Sequence, residues 1–192
     1  MVGKLIRYSL PIGKGYRSPE VASLMAQLDD QSRLLFASLK GVTSAELAWS
    51  PKRGHNTIGM LLAHLAIVEA YWVHFAQHHD YDMAALERIL GIGPDDDGLP
   101  LPANALPPAA LRGYTLAKYR TLLKRSRAYI QRVSRKFTPA KLEERIQRVR
   151  RDGRRSEVEV RWILYHVVEH FCGHYGQILL MRHQYRDRNK KK

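Results

Sequence analysis

Ile163, Val167, His170, His174 and Ile178 follow one another at steps of four, three, four and four. That spacing is the buried stripe of one α-helix, with two histidines in its middle. The i,i+4 separation puts both rings on one side of the helix, one turn apart. Any fold of this chain must bury the stripe and give the rings partners. A buried polar group left without a hydrogen bond costs about 1–3 kcal/mol. Two imidazoles so placed can present nitrogens to one metal ion. A zincin helix uses the same spacing with a glutamate after its first histidine. Here that position is Phe171, so no such base is encoded. Hydrogen-bonded core histidines are the competing reading, and spacing alone leaves both open.

Three further helical patterns precede this one. Ser18-Pro19-Glu20 is a helix start, with Ser as N-cap and Pro at the first position. Val21, Leu24, Met25, Leu28, Leu35 and Leu39 continue it, predicting a helix over 19–40 that Gly41 stops. Asn56 or Thr57 caps a second helix whose apolar face is Ile58, Leu61, Leu62, Leu65, Val68, Trp72 and Phe75. His64 lies on that face, three residues after Leu61 and four before Val68. A short helix is expected over 83–90, then a Gly/Pro/Asp-rich loop over 91–108. The third long helix is placed from Pro107-Pro108 to about residue 136, and the fourth from 156–159 to 186. Between them, residues 144–160 read as a loose hairpin around Asp152-Gly153.

Four amphipathic helical patterns without strong strands predict an all-α fold, a four-helix bundle with a basic insert before its last helix. The expected organisation is an irregular arm over 1–17, the bundle over 18–186 and a basic tail over 187–192, whose residues 188–192 read as disordered. A bundle brings apolar faces together, so His64, His170 and His174 can converge in its core. Three histidines leave coordination positions open, as a catalytic site requires, whereas a structural zinc site closes with four protein ligands. His166, one turn before His170, reads as packing or as a support for the ligands. His78 and His79 close the second helix, where a cation suits the dipole. Cys172, two residues from each histidine of the pair, points away from them and reads as an inert buried thiol.

The net charge of +14 is unevenly spread. Residues 1–111 carry −2, residues 112–155 carry +13 and residues 156–192 carry +3. The middle block is either a solvated face or a surface for acidic ligands, and with Tyr114, Tyr119 and Tyr129 it offers nucleic-acid binding as the alternative function. No uninterrupted apolar run approaches the roughly 18–20 residues of a membrane span. The N-terminal residues lack the apolar core of a secretory signal. One cysteine forbids an intrachain disulfide and fits a reducing cytoplasm.

The string from Asn56 through His64 and Glu69 to Trp72 resembles the second-helix motif of the DinB/YfiT-like superfamily. The string from Arg161 through His166, His170 and His174 to Gly176-Gln177 resembles its last-helix motif. The resemblance covers roughly residues 18–186, leaving out the N-terminal arm and the Arg-rich insert around 141–155. The resemblance implies an up-up-down-down bundle, often a homodimer, with zinc or nickel on His64, His170 and His174. It implies a metal-dependent enzyme: a thiol S-transferase using bacillithiol or mycothiol, a thiol-dependent isomerase or a hydrolase. The implied cofactors are a divalent metal ion and a low-molecular-weight thiol. A non-catalytic module stiffened by the metal is the alternative. One departure stands out: the family commonly has Arg after the last histidine, and here it is Tyr175.

Overall fold

The computed structural model describes Leu5 and residues 8–149 and 152–190. The readings of the N-terminal arm, the hairpin tip and the final lysines fall partly outside these residues. The described chain is mostly helical, with one antiparallel pair of strands. In chain order its elements are α1 (Pro19–Ser38), α2 (Ser44–Ala48), α3 (Ile58–His78), α4 (Met83–Leu90), a 3-10 turn (Ala109–Leu111), α5 (Leu116–Ser134), α6 (Pro139–Glu143), β1 (Arg145–Val149), β2 (Arg155–Glu159) and α7 (Val160–Lys190). One continuous apolar core joins the four long helices.

Side-chain caps set most helix starts. Ser18 accepts from the Val21 amide, Thr57 from Met60, Asp82 from Ala85 and Thr115 from Lys118. Each supplies an oxygen to an amide that has no partner within the helix. The third long helix begins later than the sequence pattern placed it. Leu111 and Tyr114 do pack inward, but Gly113 sits at φ 74°, in the left-handed region that breaks a helix. The helix therefore restarts at the Thr115 cap. At the other end, α7 continues to Lys190, past the expected stop at 186 and into the tail read as disordered. An ion pair between Lys190 and Asp187, 3.7 Å apart, lies on this last turn.

Contacts along the helices fix their directions. α7 runs beside α1 in the same sense, with Arg161 on Glu20 at 2.9 Å and Tyr175 on Ser38 at 2.7 Å. α3 opposes α7, since His64 meets His170 while Trp72 packs against Trp162. α5 runs parallel to α3: Ser126 donates to the Ala66 carbonyl at 2.8 Å, and Tyr129 meets His74 one to two turns on. In chain order the long helices thus run up, down, down, up, which corrects the expected up-up-down-down order. The parallel neighbours α3 and α5 are joined by the long 79–115 crossover, which such a pair needs.

α3 is apolar on nearly every face. By length and composition alone it could cross a membrane, but it is mostly buried inside the fold. The expected hairpin is present, with Arg145 opposite Glu159 and Val149 opposite Arg155. Ile146 anchors it to the core, and the Val160 amide bonds the Glu144 carbonyl where β2 runs into α7.

Two buried ion pairs tie helices together. Arg127 of α5 reaches Glu69 of α3 at 2.9 Å and Asp29 of α1 at 2.6 Å. Arg182 of α7 reaches Glu46 of α2 at 2.9 Å and caps the end of α1 through the Lys40 carbonyl at 2.8 Å. Removing one partner strands a charge out of water. Arg182→Met is expected to cost about 3–5 kcal/mol of stability. Glu46→Leu combined with it should recover much of that loss in urea unfolding, since no unpaired charge is then buried.

Candidate metal centre

α3 and α7 cross with their histidines facing one another. His64 enters from α3, and His170 and His174 from successive turns of α7. One ligand atom from each lies within 4.8 Å of the others. His170 Nε2 is 3.1 Å from His64 Nε2 and 3.1 Å from His174 Nε2. Two nitrogens on a tetrahedral ion with bonds of roughly 2.0–2.1 Å stand about 3.3 Å apart. All three residues predicted as ligands are therefore brought together, each half-buried.

The outer nitrogens explain which face each ring offers. His64 Nδ1 donates to Asp97 Oδ2 at 2.7 Å, and Asp97 is itself buried. His174 Nδ1 donates to Gln177 Oε1 at 2.8 Å. With those protons on Nδ1, the Nε2 atoms of His64 and His174 carry lone pairs toward the centre. A proton on His170 Nε2 can serve only one of them. Three converging nitrogens with at least two free lone pairs fit a cation, and the donor set suits zinc, nickel, copper or iron.

Asp97 was not singled out in the sequence. It is the third of three consecutive aspartates, Asp95-Asp96-Asp97, and only the folded loop selects it. Its Oδ1 accepts from the Leu99 amide at 3.0 Å while Oδ2 takes the ring proton. Asp96 instead turns back to the Gly93 amide at 2.7 Å. The aromatic wall beside the site was also missed. His166 stacks on Trp162 with centroids 4.7 Å apart, meets Trp72 edge-on and lies 5.7 Å from the His170 ring. Arg148 of β1 covers Trp72 at 4.8 Å, and its Nε is buried without a hydrogen-bond partner.

Other readings resolve individually. Cys172 is exposed, which corrects the buried thiol expected of it. It does point away from the histidines, but that side of α7 faces solvent. Tyr175 bonds Ser38 on α1 at 2.7 Å. His79 ends α3 in the left-handed conformation and pairs with Glu144 at 2.6 Å. His74, which suggested nothing in the sequence, is buried between Tyr129 and Asp80. Tyr119 and Tyr129, two of the three tyrosines in the basic block, are core residues.

Burial, reinforced by His174, His64 and His166, pushes the His170 imidazole down to about 3. Burial lowers His174 as well, against an opposing hydrogen bond from Gln177. Both are neutral at pH 7, the state a metal ligand needs. Once unfolded they titrate near about 6.5. Below that pH the unfolded chain takes up protons that the folded chain does not, so stability falls as pH drops. Metal-stripped protein should show a falling thermal midpoint from about pH 6.5 towards about pH 4. His170→Asn should flatten that slope; an unchanged slope would remove His170 as its source.

A family model described as mycothiol-S-transferase matches residues 23–187. The match takes in both histidine-bearing helices and also the Arg-rich hairpin that the sequence motifs left aside. No curated protein matches the chain.

Proposed function

Because the chain belongs to the mycothiol-S-transferase family, we propose that it is a metal-dependent enzyme joining the sulfur of a low-molecular-weight thiol to an electrophile. The observation that carries this reading is the convergence of three imidazoles whose outer nitrogens are held by Asp97 and Gln177. His64, His170 and His174 would hold zinc or nickel, on the four long helices as the family's bundle. A divalent ion there supplies Lewis acidity that lowers the pKa of a thiol or water to near neutrality.

The chain's own residues supply the rest. Asp97 and Gln177 fix the tautomers of His64 and His174 and keep their lone pairs aimed inward. Phe171 follows His170 where a zincin helix has its glutamate, and Glu169, just before His170, is exposed and takes the His166 Nδ1 proton at 3.0 Å. The aromatic cluster of Trp72, edge-on to the stacked Trp162 and His166, offers packing for an unsaturated or aromatic electrophile. Arg148, with its unpartnered Nε, offers a donor to a polar group of thiol or substrate. In the net reaction the thiol gives up its proton, sulfur bonds to the electrophilic carbon, and the leaving group departs with the electrons of its bond.

Elemental analysis of purified protein should find one zinc or nickel per chain, lost in His64→Ala and His170→Ala. Asp97→Asn should keep the fold and weaken metal affinity by roughly 10–100-fold. Metal-loaded protein should consume electrophile only when mycothiol is added. Stoichiometric metal with no turnover of any thiol–electrophile pair, together with a large loss of thermal stability on chelation, would leave the ion a structural role and end the enzymatic reading.

A further inference from the structure

α1 and α5 flank a groove of about 760 Å³ that none of the three site histidines lines. Its size lies within the usual range for small-molecule sites. Phe36, Ala37, Leu116 and Leu123 make it largely apolar. Arg127 lines one end, but Asp29 and Glu69 already neutralise it. Lys40, Arg120 and Lys124 also line it, are exposed, and reach no carboxylate among the described residues. Arg120 instead lies over the Phe36 ring at 4.7 Å. The first turn of α5, at Leu116, adds the partial positive charge of a helix start.

We infer that this groove binds a single-chain amphiphilic anion, a carboxylate on an alkyl body, with the chain on the apolar floor and the carboxylate among Lys40, Arg120 and Lys124. The α1 residues along it, from Asp29 to Lys40, span roughly 16 Å, enough for a medium-length chain. Three unpaired cations beside an apolar floor complement that ligand in both charge and polarity. They oppose a two-fold pairing of this face with itself, which would bring the same three cations of a second copy against them. This inference does not depend on the metal site.

The test is calorimetric titration of the full-length protein with sodium decanoate below micelle formation, with 1-decanol as the uncharged analogue. One saturable decanoate site is expected. Lys40→Glu/Arg120→Glu/Lys124→Glu should weaken decanoate at least tenfold and leave decanol within about twofold. Lys52→Glu/Arg53→Glu/Arg188→Glu changes net charge equally at other exposed positions and should leave decanoate affinity unchanged. Ala37→Trp, at an exposed helical position, should fill the groove and block both ligands while circular dichroism and metal content stay as they were. The inference is overturned by non-saturable binding or by equal losses in the two triple variants. It is also overturned by a wild-type dimer that Ala37→Trp converts to monomer, which would make the groove an interface between copies.

Discussion

α3 is apolar on nearly all sides, and a helix of that kind must be enclosed. α5 covers one flank, α7 another, and α2, α4 and the 91–108 loop close over the remainder. The few polar groups that α3 carries inward are each answered by a different neighbour. His64 finds Asp97 and the α7 histidines, Glu69 finds Arg127, and His74 finds Tyr129 and Asp80. The enclosure of α3 and the placement of the site are thus one constraint. A register slip of α3 against α7 would separate His64 from the pair and move Trp72 off Trp162 at the same time.

Much of this was legible in the sequence because it is local. Ser18, Thr57 and Asp82 cap helices through oxygens that sit three residues from the amides they serve. The four long patterns follow from apolar spacing alone. What was not legible depends on partners far along the chain. Helix direction is set by which faces meet, and the path of the 79–115 crossover carries no periodic signal. The start of α5 was misplaced because Leu111 and Tyr114 continue the apolar stripe although Gly113 has left the helical conformation. Burial pattern and backbone conformation disagree there, and only the pattern is visible in the sequence.

The candidate site divides the same way. His170 and His174 declare themselves by spacing on one helix, and His64 by its place on an apolar face. Asp97 could not, since three adjacent aspartates in a loop look alike until the backbone turns one of them inward. Cys172 was placed on the correct side of α7, but the helix is not covered on that side. Periodicity reports which residues share a face, not whether anything packs against it.

The basic block shows the same limit for charge. Its cations sum to one number, yet the fold spends them on separate tasks. Arg127 turns inward to bind Glu69 and Asp29, Arg125 caps the Leu90 carbonyl, and Arg148 lies on Trp72 beside the histidines. Arg145 and Lys141 pair with Glu157 and Glu144 around the hairpin. Along α5, Arg120 and Lys124 are one turn apart and Arg127 follows three residues later, so all three line the same groove. Only Arg127 meets acidic groups, because Glu69 and Asp29 face it from α3 and α1. The field that this face presents is therefore set by which cations lack a carboxylate across the helix boundary, a property of pairing that net charge does not contain.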